Sequence, residues 1–284
     1  TAPTTLAAAQ AYLGPMAAAG GETTFAYDAA ERLQTRTDPL GTVTRYEHDG
    51  QGQVVAEHVA HGTGEVRTTR NVYDSQGRLI AQTRAADTAI AATTQYTYDA
   101  FGQQVAVTDP RGHELATTDS AWALAQRKTH GFVNETGAPL RVADLSAAQQ
   151  EQLRAMYTST QAFDASGNIT RSTDALGASV ERTFDAFGNA VRVVDARGFA
   201  GTFVFDGRDR VVAQIDPAGY VTVTDYGVDD QTTTIQRYLQ RYSGTPTVDP
   251  RAQVGGPVAT TTLRYDALGR LVESIDAHGG RETW

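Results

Sequence analysis

The chain of 284 residues is 40% hydrophobic and 20% charged, a composition typical of a globular protein and not of a disordered one. Its formal net charge of −9, without any cluster of Lys and Arg, argues against a nucleic-acid-binding protein. The lack of Cys excludes a disulfide scaffold, and no apolar run approaches the roughly 18 residues that a membrane-spanning helix requires.

Residues 1–21 are rich in Ala and precede the main pattern of the sequence. Residues 6–13, followed by Gly14 and Pro15, allow a short helix that stops at the Gly-Pro pair. The segment has no basic region before its apolar residues, so it makes a poor signal peptide. We interpret 1–21 as an Ala-rich linker or a degenerate repeat.

A two-turn unit then recurs across 22–284, with a period of about 21 residues. An aromatic residue is followed by Asp, with Gly three residues after that Asp, and a second Asp with Gly three residues later closes the unit. The predicted signature residues are Tyr27, Asp28, Asp38, Gly41, Tyr73, Asp74, Gly77, Arg78, Leu79, Tyr98, Asp99, Gly102, Phe163, Asp164, Gly167, Phe184, Asp185, Gly188, Phe205, Asp206, Tyr265, Asp266, Gly269, Arg270 and Leu271.

The spacing of Asp and Gly predicts type I turns at both ends of the unit. The Asp carboxylate can accept the backbone N–H two residues on, and Gly tolerates a positive φ as the chain enters the next strand. Two turns, which begin at Asp28 and Asp206, carry Glu31 and Asp209 where Gly is expected. The second turns are predicted to begin at Asp38, Asp109, Asp174, Asp195, Asp216 and Asp276.

The segments between the turns read as strands. Phe203 and Phe205 stand two residues apart, as do Val191 and Val193, and period two places such pairs on one face of a strand. The turn spacing leaves strands of about six residues. The sequence therefore predicts an all-β repeat array of antiparallel β-hairpins that forms a twisted, winding sheet.

The array is expected to be regular over 22–112 and 163–235 and interrupted elsewhere. The insertion at 113–162 carries a capping box at Ser146 and Gln149 and predicts one short helix near 146–157, packed on the sheet as a decoration or acting as an internal plug. Residues 118–124 are interpreted as a worn repeat. Gly and Pro in 237–258 predict a loop insertion.

The stretches Tyr73-Asp74-Ser75-Gln76-Gly77-Arg78-Leu79 and Tyr265-Asp266-Ala267-Leu268-Gly269-Arg270-Leu271 resemble the YD repeat, also called the Rhs repeat. That family includes bacterial Rhs toxins, wall-associated toxins, shell components of insecticidal toxin complexes and teneurins. The resemblance implies a hollow β-shell that encloses a C-terminal toxin or effector cargo. It implies, as partners, that cargo and the remaining shell, and a secreted or cell-surface location after a cytoplasmic stage.

The strand register at Trp284 leads us to expect a fragment of a longer protein, because the array would stop inside a strand. No catalytic residue, cofactor or metal site is predicted. His58 and His61, with Glu57, have a spacing that does not bring two imidazoles to one face of a strand. Pro precedes none of the Asp-Pro-x-Gly turns by five residues, so the self-processing activity of some family members is not transferred.

Two other functions stay open at this point. Regularly spaced aromatic rings suit a carbohydrate- or cell-surface-binding repeat module of a secreted adhesin, provided that the rings are exposed and not part of the core. A glycosidase built on the array is the weakest hypothesis, because no pair of carboxylates stands out in the sequence. We therefore predict a non-catalytic shell segment and not an enzyme.

Overall fold

The computed structural model describes residues 22–228, 230–243 and 250–284, so the interpretation of 1–21 and part of the 237–258 loop lie outside the described residues. The chain divides into two compact units, Thr1–Ser159 and Thr160–Trp284. The all-β prediction is confirmed, because the described residues contain nineteen strands whose sequence neighbours pair antiparallel within each unit.

In the first unit, strands β1 to β8 are Thr24–Tyr27, Leu33–Thr37, Val43–His48, Val54–Val59, Arg67–Tyr73, Leu79–Arg84, Ala92–Tyr98 and Gln104–Thr108. Strand β9, Thr158–Phe163, begins at the end of this unit and pairs with β10 of the second. Strands β10 to β19 are Ile169–Thr173, Ser179–Phe184, Ala190–Val194, Ala200–Phe205, Val211–Ile215, Val221–Tyr226, Thr232–Arg237, Ala259–Tyr265, Leu271–Ile275 and Arg281–Thr283. These lengths agree with the predicted strands of about six residues.

A one-residue β-bulge follows every first turn of the signature type. In the hairpin of β11 and β12, Phe184 lies opposite Ala190 and Thr183 lies opposite Arg192, so Val191 is the extra residue. Arg192, between Val191 and Val193, is exposed, whereas both Val residues are half-buried. The eight bulge residues are Gln34, Val55, Ile80, Val105, Thr170, Val191, Val212 and Val272.

The bulge keeps successive cycles in phase. Arg192 lies opposite Thr183 on one side and opposite Thr202 on the other. The residue equivalent to Thr183 in the next cycle is Val204, which is two positions beyond Thr202. Because side chains alternate between faces, an offset of two keeps equivalent residues on one face. Without the extra residue, equivalent residues of successive 21-residue cycles would be shifted by one position along the strand. The signature side chains of successive cycles would then lie on opposite faces of the sheet.

The insertion between β8 and β9 contains three helices, and the prediction of a single helix was wrong. Helix α1 is Pro110–Thr117, α2 is Ala121–Thr129 and α3 is Ala147–Ala155, with a 3-10 turn at Val142–Asp144. The predicted helix corresponds to α3, and both hydrogen bonds of its Ser146–Gln149 capping box are present. The expected worn repeat at 118–124 is instead the start of α2, which Ser120 caps at 3.1 Å.

Asp109 and Gly112 do not form the predicted β-turn. Asp109 caps α1 by accepting the N–H of Arg111, and Pro110 takes the first helical position, where its missing N–H costs nothing. Gly112 lies inside the helix, against the end of α3. The regular first stretch therefore ends at β8, before residue 112.

Buried hydrophobic side chains form two clusters. The first joins the three helices around Leu115, Ala123 and Leu153, with Trp122 and Tyr157 packed at its border. The second forms in the second unit, where the segment after β16, including the short helix α4 (Arg251–Val254), folds back onto the sheet. The segment predicted as a loop insertion thus supplies core residues, with Tyr238 and Val254 packed against one face of β14 and β15.

Candidate functional site

The signature residues gather in one row of turns in each unit. When consecutive strands are antiparallel neighbours, successive turns lie at opposite ends of the strands. All first turns therefore lie at one end of the strands, and all second turns lie at the other end. We call the first set the first-turn row. Its turns begin at Asp28, Asp49, Asp74 and Asp99 in one unit and at Asp164, Asp185, Asp206 and Asp266 in the other.

Each Asp of the first-turn row satisfies the backbone of its own turn. In the turn of Asp74, Oδ1 accepts the N–H groups of Gln76 and Arg78, both at 2.9 Å. The backbone carbonyl of Asp74 accepts the N–H of Gly77, and the N–H of Asp74 donates to the carbonyl of Arg78. The predicted contact two residues on is present, and the contact four residues on is additional. The same bonds recur in all eight turns.

The fourth turn position requires a left-handed backbone. Gly77 has φ 83°, and Glu31 and Asp209, which replace Gly, have φ 61° and 58°. A residue with a Cβ adopts this conformation at a cost of about 1–2 kcal/mol, which Gly avoids. Gly, however, loses more backbone entropy on folding, and this loss offsets part of the gain in stability. We expect Glu31→Gly to raise the melting temperature, with a gain below about 1 kcal/mol.

Thermal unfolding followed by circular dichroism tests this expectation. Asp209→Gly is the matched comparison, because Asp209 also accepts a 2.8 Å hydrogen bond from Nδ2 of Asn189 that the substitution removes. Its gain should therefore be smaller than that of Glu31→Gly. A lower melting temperature for Glu31→Gly would contradict the assignment of backbone strain at this position.

The signature Tyr and Leu are partners across the turn. Tyr73 lies opposite Leu79 in the hairpin ladder, and Tyr265 lies opposite Leu271. The Tyr hydroxyl also reaches back to the preceding cycle, where it donates to the carbonyl of the residue at the Leu position. This bond joins Tyr73 to Val54 at 3.1 Å, Tyr98 to Leu79 at 2.9 Å and Tyr226 to Val211 at 3.2 Å.

The signature Arg contacts its own turn and the first turn of the next cycle. Nε of Arg78 donates to Oδ2 of Asp74 at 2.7 Å, while its NH1 donates to the carbonyl of Asp99 in the next turn at 3.0 Å. Its guanidinium stands 4.9 Å from the ring centre of Tyr98, a cation–π distance. Arg32 makes the same pair of bonds, to Asp28 and to the carbonyl of Asp49. Arg and Tyr therefore connect neighbouring cycles in both directions.

The most regular cycles use a different set of side chains. Phe163, Phe184 and Phe205 have no hydroxyl to donate, and Asn stands at the Arg position in two of these cycles. Asn189 bonds Oδ2 of Asp185 at 3.2 Å and Oδ1 of Asp209 at 2.8 Å, so it keeps the forward contact. The sequence signal for this role is a polar residue four positions after every first-turn Asp, of which the predicted signature contains only Arg78 and Arg270.

Hydrogen bonding lowers the pKa of several first-turn carboxylates. The side chain of Arg210, followed by its backbone N–H, lowers the pKa of Asp206 to about 2. For a carboxylate whose pKa falls on folding, the stabilisation is present above the unfolded value of 3.8 and is lost as the pH falls through the folded value. The pKa is also lowered in Asp28, Asp74, Asp164 and Asp266.

We therefore expect the strand signal to stay constant down to about pH 4 and to fall progressively between about pH 4 and pH 2. Circular dichroism at 218 nm, recorded during an acid titration at constant ionic strength, measures it. Strand loss that is complete above about pH 5 would contradict the role given to these carboxylates.

The Asp of one turn can be tested alone. Asp185→Ala removes the acceptor of the Phe187 and Asn189 N–H groups, each bonded at 2.9 Å, and should lower the urea concentration at the midpoint of unfolding. Asp185→Asn retains Oδ1 as an acceptor and should lower that midpoint by less than half as much. Equal losses in the two variants would show that the negative charge, and not the hydrogen bonds, supports the turn.

The remaining predicted positions lie at the opposite end of the strands or away from the first-turn row. Asp38 and Gly41 form a second turn with the same bonds as the first turns, Leu40 and Thr42 donating to Oδ1 of Asp38. The rings of His58 and His61 lie 6.1 Å apart. In the part of the chain that the structure describes, no three His, Cys, Asp or Glu side chains converge as metal ligands, and no helix is long and apolar enough to cross a membrane.

Comparisons with known proteins agree with the geometry of the turns. The model of the RHS Repeat family matches residues 16–43, 27–63, 73–114 and 163–200. A search of the curated proteins found no match.

One of the solved toxin-complex structures that resemble this chain reaches a TM-score of 0.50 and shares the fold. A crystal structure of TcdB2-TccC3 is 14% identical with a TM-score of 0.50 and covers 92% of this chain and 14% of that one. A crystal structure of TcdB2-TccC3-Cdc42 is 17% identical with a TM-score of 0.47, at 92% and 14% coverage. A Tc holotoxin pore of Photorhabdus luminescens is 14% identical with a TM-score of 0.49, at 92% and 13% coverage. The chain thus spans about a seventh of these relatives.

Proposed function

This chain is a member of the Rhs/YD-repeat family, and from that premise we propose that it is a non-catalytic wall segment of a toxin-type shell that encloses a C-terminal toxin or effector. The observation that carries the proposal is the first-turn row. Its Arg and Tyr side chains, and Asn189 in the cycles that carry Phe, connect neighbouring cycles, so the array extends by adding similar units.

The distribution of buried surface supports a wall. Most strand residues are half-buried, and buried hydrophobic side chains concentrate in the two clusters under the helical insertion and the 237–258 segment. Large hydrophobic side chains at turn tips stay exposed, among them Phe101 at 91%, Phe187 at 85% and Leu176 at 94%. We propose that other parts of the assembly cover these turn tips.

The enclosed partner and the export of the protein are also proposals. We propose that the chain is one segment of a longer protein whose C-terminal part is the cargo, and that the whole is made in the cytoplasm and then secreted or displayed on the cell surface. The fold shared with TcdB2-TccC3 supports a shell, because that neighbour is itself a toxin-complex protein.

The test uses the complete gene product that contains this sequence. Its intact mass is measured after native gel filtration and again in denaturant, together with protease digestion under both conditions. We expect a C-terminal polypeptide that stays with the protein and resists protease in the native state and becomes free or digestible in denaturant. Equal digestion rates in the two states would overturn the proposal.

A paired variant of the same protein connects the protection to the wall. Asp74→Ala breaks the turn that holds Arg78, whereas Asp74→Asn retains the backbone acceptor. The Ala variant should release protease protection at a lower denaturant concentration than the Asn variant. Unchanged protection in both variants would mean that residues outside this array shield the C-terminal part.

A glycan-binding module of a secreted adhesin is the second candidate, favoured by one groove of about 480 Å³ beside Tyr73 and Asp49. The polar groups there are already used, however. The hydroxyl of Tyr73 and Nδ2 of Asn71 both donate to the carbonyl of Val54, and Nε2 of Gln53 donates to Gly77. A glycan panel that changes the Tyr fluorescence of the wild type but not of Tyr73→Ala would establish this function.

A further inference from the structure

The helical insertion begins and ends at the same place. The N–H of Asp109 donates to the carbonyl of Tyr157 at 2.9 Å, and the hydroxyls of Thr108 and Thr158 lie 2.8 Å apart. The first turn of α1 therefore packs on the end of α3, directly beside the ends of β8 and β9. The contact between α1 and α3 and the bonds between the two strand ends therefore lie side by side.

A histidine and an arginine meet at this crossing. Nδ1 of His113 and Nε of Arg154 are both inaccessible, and neither has a hydrogen-bond partner among the described residues. Burial, followed by the charge of Arg154, lowers the pKa of His113 below its ordinary value of 6.5. His113 is thus held as the neutral imidazole at neutral pH.

The other charged groups on the packed elements have contacts of their own or are exposed. On α3, Glu151 lies 3.4 Å from NH1 of Arg154 and pairs with it. On α2, Arg127 is paired with Asp119, and Lys128 is exposed. On α1 itself, Glu114 accepts the hydroxyl of Ser120, and Arg111 stands over the ring of Trp122. Strand β7, which also packs on α1, carries no charged residue.

We propose that the helical insertion is an acid-released clasp, in which protonation of His113 separates α1 from α3 and frees the two strand ends that they hold together. The protonated ring carries an N–H at Nδ1 that has no acceptor, and it places a second positive charge beside Arg154. Both are costly because Nδ1 is closed to water, although the His113 side chain as a whole is half-buried.

The sign of the pH dependence follows from the neutral state. A group whose folded-state pKa is lowered contributes stability that is complete above its ordinary value, here 6.5, and is lost as the pH falls below it. The turn carboxylates, whose ordinary value is 3.8, stay ionised in this range, so the clasp opens while the hairpins are intact. The clasp depends on the insertion alone and does not require the proposed shell function.

Trp122 provides a local reporter, because the sequence has only two Trp and the other, Trp284, is 67% exposed. In the Trp284→Phe chain, emission and acrylamide quenching are recorded from about pH 7.5 to about pH 5. We expect a red shift and stronger quenching that begin below about pH 6.5, while circular dichroism at 218 nm stays constant.

Two variants identify the responsible group. His113→Gln should abolish the acid response, whereas His130→Gln, an exposed histidine at the end of α2 in the same insertion, should leave it unchanged. If His113→Gln lacks native Trp122 emission at pH 7.5, Arg154→Met is used instead, and a weaker acid response is expected. Flat Trp122 emission in the Trp284→Phe chain, or an unchanged response in these variants, would overturn the proposal.

Discussion

Arg127→Met is expected to destabilise the helical insertion by about 3–5 kcal/mol. The guanidinium of Arg127 has no solvent exposure and makes four hydrogen bonds. One goes to Asp119 at 2.8 Å, and the others reach the carbonyls of Leu115, Thr118 and Leu140, at 2.9, 2.6 and 3.1 Å. Met fills a similar volume but leaves all four acceptors without this donor, and unpaired groups in a buried site are the costly outcome.

Urea unfolding followed by Trp122 fluorescence in the Trp284→Phe chain measures this loss. Trp122 packs against the same cluster, with its ring 6.1 Å from that of Tyr157. Lys128→Met, one residue along the same helix and exposed, is the control and should change stability by less than about 0.5 kcal/mol. A loss below about 1 kcal/mol for Arg127→Met would show that water replaces the guanidinium at its acceptors.

Gly112→Ala should destabilise the chain by about 1–3 kcal/mol, although Ala is the better helix former by about 1 kcal/mol. A Cβ at Gly112 would lie 2.8 Å from Cβ of Tyr157, 2.9 Å from Cγ2 of Thr108 and 3.1 Å from the carbonyl oxygen of Arg154. Two of these atoms belong to the segment that closes the insertion, so α1 must move away from α3 to admit a methyl group.

The same urea experiment gives the result for Gly112→Ala. Gly50→Ala is its control, since no atom lies within 4 Å of a Cβ at Gly50 and its φ is not positive. The control should change stability by less than about 0.5 kcal/mol. A gain in stability for Gly112→Ala would mean that helix propensity outweighs the close approach, and that α1 and α3 pack less tightly than the distances indicate.

The hairpins were predictable because their causes are local. Asp, Gly and an alternating run act within one turn and two strands, and they recur often enough to define a period. The interpretation of Asp109 failed for an instructive reason. Asp109 accepts the N–H two residues on in the same way as Asp38, so the first half of a turn and a helix cap look alike. Only the residues that follow, helix formers after Gly112 and β-branched residues after Gly41, separate the two outcomes.

The contacts between cycles were harder to predict from the sequence. The motif displayed Arg78 and Tyr98, but their bonds to Asp99 and Leu79 depend on which strands become neighbours. Nothing in the sequence around Arg127 indicates that it is buried, and the packing of α1 against α2 encloses it. Contacts that join residues distant in sequence carry no periodic signal, so a single sequence does not report them.

The shift of two residues in each cycle sets the direction in which equivalent side chains follow one another across the sheet. Two residues along a strand advance about 6.8 Å, and two strands across the sheet cover about 9.6 Å, so a line through equivalent side chains runs about 35° from the perpendicular to the strands. The longer cycle keeps this slope, because Glu47 reaches Arg70 across Ala56, while its equivalent is Val72. Each added cycle therefore displaces equivalent side chains by the same distance along the strand direction, and lengthening a loop leaves that displacement unchanged.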